Sequence, residues 1–257
     1  MDVTPVILTY NEAPNIARVL ERLRWAREVV VVDSGSTDGT LQLLAAAPNV
    51  RVVHRAFDSH ARQWTFAVHE TGIGTRWVLA LDADYLLTPE LTALLPELLS
   101  SQDVAGYRVP FRYCVHGQPL RGTLYPPVIA LYQRAGARYV QDGHTQRLQL
   151  DGAIRDCPAG MLHDDRKPLS HWLWAQDRYA RLEADLLLAT PWRELRWPDR
   201  LRTIPMLAPV VVFFYCLLAK RGILDGRAGL FYAMHRLTAE LIIQLKLFER
   251  RWLGVRL

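Results

Sequence analysis

Two aspartates one residue apart, Asp82 and Asp84, follow the apolar run Trp77-Val-Leu-Ala-Leu81. A short continuous apolar run of this kind reads as a buried strand, so the pair stands at a strand's carboxyl end. Two carboxylates there can hold a hard divalent cation, Mn²⁺ or Mg²⁺, together with a sugar-nucleotide. Such a cation bridges a diphosphate and neutralises it as it leaves. Asp-x-Asp equally serves turns and helix caps, so the strand context carries the reading. Asp33 also ends a strand-like run, Glu28-Val-Val-Val-Val32, and opens Asp33-Ser-Gly-Ser-Thr-Asp-Gly-Thr40. A carboxylate at that point can accept hydrogen bonds from a base or ribose, while Ser36, Thr37 and Asp38 have the chemistry of helix caps. Thr9-Tyr-Asn-Glu12 ends the first strand-like run, and its backbone with Asn11 or Glu12 can contact a base; the other reading is an N-cap before Pro14.

The elements that must position these residues follow from hydropathy patterning. Val3 to Thr9, Glu28 to Val32, Val50 to Arg55 and Trp77 to Leu81 read as strands. They alternate with helix-like segments: one starting near Asn11 to Pro14, then Leu41 to Ala47 and Arg62 to Glu70. Strands that alternate with helices imply a parallel sheet in an α/β domain, and ligands of such sheets bind beyond the strands' carboxyl ends. Residues 103–165 change to Gly, Pro and aromatics with strand-like pieces at Gly106 to Arg112 and Ala130 to Gln133. From Ser170 the pattern is helical, which divides the chain into residues 1–168 and 169–257.

Composition bounds the function. In 257 residues, 50% are hydrophobic and 22% charged, which excludes a disordered or collagen-like chain. Residues 193–257 carry 12 basic and 5 acidic side chains, against 19 and 21 in residues 1–192. The excess gathers on the most hydrophobic part of the chain, which points to an anionic membrane surface rather than nucleic acid. Residues 204–219 contain no charge, but at 16 residues with Pro205 and Pro209 they are short for a spanning helix. Residues 229–248 carry Leu230, Met234, Leu237, Leu241 and Leu245 on one helical stripe, suited to a membrane interface, to packing within the chain, or to a second copy of it. Cys114, Cys157 and Cys216 show no disulfide framework, as in a reducing compartment, and no signal peptide is read at the N-terminus.

Ile7-Leu-Thr-Tyr-Asn-Glu-Ala-Pro-Asn-Ile16, Val31-Val-Asp-Ser-Gly-Ser-Thr-Asp-Gly-Thr40 and Leu81-Asp-Ala-Asp84 together resemble glycosyltransferase family 2 in order and spacing. Within it, the lipopolysaccharide-core β-glycosyltransferases are the most similar branch, with Gly222-Ile-Leu-Asp-Gly-Arg-Ala-Gly229 as a looser match. The resemblance implies a GT-A type, mostly parallel sheet flanked by helices, with a helical, membrane-associating C-terminal tail. It implies inverting transfer from a nucleotide-diphosphate sugar, by default a UDP-sugar, to a lipid-linked or saccharide acceptor at the cytoplasmic membrane face. Thr9, Asn11, Glu12 and Asp33 would surround the base and ribose. Asp82 would lie near the ribose or metal, Asp84 would ligate the metal, and Arg62 would pair with the diphosphate. The branch commonly shows Val-His-Glu, with Glu as base; here the stretch is Asp142-Gly-His-Thr145. Thr145 cannot act as a base at neutral pH, which leaves Asp142, with Asp164 and Asp165 as rivals. His163 would complete the metal site, and Arg166 and Lys167 would hold the diphosphate. Two other classes share some of these features. A nucleotidyltransferase would carry a glycine-rich basic loop after strand one, which is absent here. A non-catalytic sugar-nucleotide-binding or membrane-scaffold protein would be accounted for by Thr145 in place of Glu.

Overall fold

The computed structural model describes residues 1–142 and 145–252, without the side chains of Asp142 and Thr145. Its elements in chain order are β1 (Val3–Thr9), α1 (Ile16–Glu21), β2 (Val29–Asp33), α2 (Thr40–Ala45), β3 (Val50–His54), α3 (His60–His69), β4 (Trp77–Asp82), β5 (Tyr85–Leu87) and α4 (Pro89–Ser100). Then come β6 (Gly106–Val109), β7 (Phe111–Val115), β8 (Gln118–Pro119), β9 (Val128–Gln133), β10 (Arg138–Asp142), β11 (Thr145–Gln149), β12 (Ile154–Asp156) and β13 (Met161–His163). Helices α5 (Leu169–Ala189), α6 (Trp197–Thr203), α7 (Leu207–Phe214) and α8 (Gly226–Trp252) complete the chain. Two compact units result: Met1–Gly117 with Tyr125–Arg166, and Gln118–Leu124 with Lys167 onward. The excursion 118–124 has no counterpart in a division of the sequence at residue 168.

In the first unit, a seven-stranded sheet runs in the order β12-β6-β9-β4-β1-β2-β3. Strands β1 to β4 are mutually parallel, while β9 runs antiparallel to β4 and β6. The central strands are apolar on both faces because helices cover both. Ile7, Val29, Val31, Leu79 and Leu81 belong to a core shared with α1 and α4, through Ile16, Val19, Leu91 and Leu95. Val6, Val30, Val32, Val78 and Ala80 share the other core with Trp64, Ala67 and Val68 of α3. The first helix begins at Ile16, later than the Asn11–Pro14 start read from sequence, because Asn11 takes a left-handed φ of 55° in the preceding loop. Beside the sheet, β13 pairs antiparallel with β5 and parallel with β7, and β10 pairs with β11 as a hairpin.

The second unit is helical. The uncharged run 204–219 divides into α7 and a π-helical turn, Tyr215–Ala219, with Pro209 tolerated in the first turn of α7. A 3₁₀ turn, Gly222–Asp225, leads into α8. A side chain at Gly229 would drive its Cβ into the Gly222 carbonyl oxygen, so this pair fixes how closely the turn approaches α8. Asp225 anchors the excursion: its carboxylate accepts from the Arg121 backbone N–H at 3.0 Å and pairs with Arg121 Nε at 3.2 Å. Gly229→Ala forces a methyl group against the Gly222 backbone. Overpacking of this kind costs about 1–3 kcal/mol or more; thermal unfolding followed by circular dichroism should therefore show a clearly lowered Tm, and an unchanged Tm would mean that the approach is not tight.

Candidate active site

Parallel register brings the sequence motifs to one edge. Thr9 lies opposite Asp33, Asp33 opposite His54, and Leu8 opposite Asp82. Thus the carboxyl ends of β1 to β4 form a single polar rim. At its centre Asp33 is fully buried. Its carboxylate accepts from Thr9 Oγ1 at 3.0 Å, the Gly35 and Ser36 N–H groups at 2.9 Å each, and Ser36 Oγ at 2.5 Å. Burial opposes the charge, but the donors of Ser36, Gly35 and Thr9 outweigh it and hold Asp33 below the ordinary carboxylate range. Ser36 Oγ in turn accepts from the Asn11 N–H, and Asn11 Oδ1 accepts from the Thr37 N–H, both at 2.8 Å. The Glu12 N–H donates to Thr40 Oγ1 at 2.8 Å. Thr9, Asn11, Glu12 and Asp33 are therefore brought together.

Asn15 joins this loop to a distant segment and is fully buried. Its Nδ2 donates to Glu12 Oε2 and Asp165 Oδ1, both at 2.8 Å. Its Oδ1 accepts from Arg18 at 2.9 Å and from the Arg166 N–H at 2.8 Å. All four hydrogen-bonding positions of the amide are used. Beside it, Asp164 accepts from Arg18 at 2.7 Å, from Arg166 at 2.9 Å, and from the Gly117 N–H at 2.9 Å. Burial opposes its charge, yet Arg166, the Gly117 N–H and Arg18 hold its pKa low. A carboxylate in this state is an anchor for two guanidiniums and a weak proton acceptor.

Asp84 and His163 meet where β13 lies against β5. Asp84 Oδ2 and His163 Nε2 are 3.1 Å apart. Burial disfavours the imidazolium, but Asp84, with Asp82 and Asp165 nearby, raises the His163 pKa above its ordinary value. Aromatic rings surround the imidazole: Tyr113 at 4.8 Å, Tyr85 at 5.1 Å, Phe111 at 5.6 Å and Tyr125 at 6.1 Å between centroids. Burial, then Asp82 and Asp84, push the Tyr85 hydroxyl far above the usual phenol range. Asp82 itself is exposed at the rim. Among the described residues no three His, Cys, Asp or Glu side chains converge as a metal-binding group. Arg62 stands apart on the first turn of α3: its side chain is 78% exposed and 3.7 Å from Asp58. Asp142 ends β10 opposite Thr145 in the hairpin, but its side chain, with Gly143 and His144, lies outside the described residues. Asn15, Arg18 and the aromatic surround of His163 had no signal in spacing; each depends on contacts between residues far apart in sequence.

A mostly parallel sheet covered by helices on both faces, followed by a helical C-terminal unit, is the fold class that the sequence resemblance implies. Residues 4–161 match the family model for glycosyl transferase family 2, and the chain belongs to that family. Lipopolysaccharide core biosynthesis glycosyltransferase LpsC of Rhizobium meliloti (strain 1021) is 26% identical over 267 residues, covering 100% of this chain and 95% of that protein. Succinoglycan biosynthesis protein ExoO of the same organism is 35% identical over 115 residues, 42% of this chain and 32% of that protein, so the chain spans about a third of its length. Among solved structures, S. aureus TarS 1–349 in complex with UDP-GlcNAc superposes with a TM-score of 0.49 at 15% identity, covering 98% of this chain and 92% of that one.

Asn15→Ala would remove four hydrogen bonds at a buried point. An unsatisfied buried partner costs about 1–3 kcal/mol, so denaturant unfolding should show at least about 2 kcal/mol of lost stability. A loss below about 0.5 kcal/mol would mean that the Glu12 loop and the Asp165–Arg166 segment are held together by other contacts.

Proposed function

We propose that the protein is an inverting glycosyltransferase that moves a sugar from a nucleotide-diphosphate donor to a lipid-linked, lipopolysaccharide or polysaccharide acceptor. The observation that carries this reading is the Asp84–His163 pair at the rim formed by the strand ends, in a chain whose family is established. UDP is the donor nucleotide that the family resemblance implies. A lipopolysaccharide-type acceptor is favoured by the full-length similarity to LpsC. The cytoplasmic membrane face is favoured by three free, buried cysteines, which a reducing compartment preserves.

The residues present fit a divalent cation. Neighbouring ligands about 2.1 Å from an octahedral ion lie roughly 3 Å apart, and Asp84 Oδ2 and His163 Nε2 are 3.1 Å apart. Mg²⁺ sites commonly use one or two carboxylates, completed by substrate phosphates and water. Asp84 and His163, with Asp82 beside them, would hold the ion. When bound, it supplies charge neutralisation to the departing diphosphate. Thr9, Asn11, Glu12 and Asp33 form the wall for base and ribose; Asp33, already engaged by four donors, acts there by shaping the loop. Arg62 is free to swing from the surface toward a diphosphate. The acceptor hydroxyl attacks the anomeric carbon, the bond from that carbon to the diphosphate oxygen breaks, and a carboxylate takes the hydroxyl proton. The two guanidiniums on Asp164 disfavour it as that base, and Asp165 is engaged by the Asn15 amide; Asp142 is the base we propose.

Thermal shift with UDP and Mn²⁺ tests the donor and metal parts, because a ligand of the folded state raises Tm. Wild type should be stabilised more by UDP with Mn²⁺ than by UDP alone, and Asp84→Asn should lose that increment. Asp84→Asn with the full increment would remove the metal assignment. Asp142→Asn should retain UDP binding while turnover falls by about 10²-fold or more; unchanged turnover would exclude Asp142 as base.

A further inference from the structure

The helical unit has its polarity reversed. Arg202 lies inside it, with one nitrogen 2.8 Å from Glu183 and 3.1 Å from Asp199, while Glu240 accepts at 2.8 and 2.9 Å. Glu183, Asp199 and Glu240 are all buried. The buried apolar cluster beside these charges is small, built from Ala180, Ala184, Leu187, Leu195, Ile243 and Leu247. Large apolar side chains are instead outside. Of the 29 exposed large hydrophobic residues among those described, 23 belong to this unit, although it is the smaller of the two. Leu218, Ile223 and Leu224 are each more than 60% exposed, and Phe214 more than half. Val211, Phe214, Tyr215, Leu218, Ile223 and Leu224 crowd this exposure into one short segment, and large exposed apolar patches mark interaction surfaces.

We infer that this unit docks in the interface of an anionic lipid bilayer, with the segment from α7 through the 3₁₀ turn as its apolar insertion. Two observations choose a bilayer over a second copy of the chain. Trp174, Trp192, Trp197 and Trp252 are all exposed, the residue type that settles at headgroup level. Arg193, Arg196, Arg221, Arg227 and Arg251 are exposed as well, and they match anionic headgroups. The docking is re-entrant or interfacial, since no single described helix is long and apolar enough to cross. Only the pair Leu207–Ala219 and Gly222–Trp252, bent by 67°, passes that test together. The π-helical and 3₁₀ turns keep the backbone at the bend hydrogen-bonded, with the Lys220 N–H on Tyr215 and the Leu224 N–H on Arg221. Docking of this unit is independent of the transfer chemistry proposed for the other.

Flotation of the full chain with vesicles of phosphatidylcholine and phosphatidylglycerol tests the docking. Wild type should float at low salt, bind neutral phosphatidylcholine vesicles at least tenfold less, and leave the anionic ones as salt rises. The double variant Leu218→Gln/Ile223→Gln changes only exposed side chains and should partition at least tenfold less, with its circular dichroism and its response to UDP unchanged. Wild type that stays off anionic vesicles, or a double variant that floats as well as wild type, would overturn the inference. So would equal binding to neutral vesicles. Concentration-dependent dimerisation in sedimentation velocity that the double variant abolishes, without flotation, would assign the surface to a second copy instead.

Discussion

The buried carboxylate of Asp33 is the constraint from which the rim is organised. A charge placed at the end of a fully apolar strand is tolerable only if every lone pair finds a donor. Thr9, Gly35 and Ser36 supply those donors. In doing so they fold the loop after β2 back against the end of β1. Gly35 adopts the left-handed φ of 93° that this turn requires. Ser36 then fixes Asn11, and Asp38 accepts from the Ala13 N–H at 3.1 Å. The conformation of the loop after β1 is thus set by the loop after β2.

From there, order passes through one amide to the other side of the rim. Asn15 ties Glu12 to Asp165 and Arg166, and Arg18 ties the same helix to Asp164. These residues immediately follow His163, so the imidazole that faces Asp84 is held through the segment that also holds the loop after β1. Surface ion pairs such as Arg62 with Asp58 contribute little to this order, being exposed and screened. The buried Asp164 carboxylate is different, since without its two guanidiniums, Arg18 and Arg166, it would be left as an uncompensated charge.

Much of this was legible in the sequence for a physical reason. Strands such as Glu28-Val-Val-Val-Val32 can be so apolar only if both faces are covered, and that fixes a parallel sheet and puts Asp33 and Asp82 at one edge. The bonds between the loops after β1 and β2 were not legible, because Asn11 with Ser36 and Glu12 with Thr40 meet only once the two strands pair. Nor was Asn15, because a buried asparagine with four partners looks in sequence like an ordinary helix cap. The aromatic surround of His163 was hidden for the same reason: Tyr85, Phe111 and Tyr113 meet it through the pairing of β5, β7 and β13, and Tyr125 joins from the segment before β9. The sequence marks residues 204–219 as uncharged and apolar and residues 229–248 as amphipathic. The exposed apolar residues of α5 and the buried Arg202 cluster come from packing, which no single helix's periodicity encodes.

Anomalous diffraction from crystals soaked with UDP and Mn²⁺ tests the central arrangement most directly. The predicted result is a manganese peak bonded to Asp84 and to the diphosphate, with His163 or Asp82 completing the protein side and the uracil lying against the Thr9–Glu12 loop. A nucleotide bound away from the carboxyl ends of β1 to β4, or manganese coordinated by none of Asp82, Asp84 and His163, would contradict it.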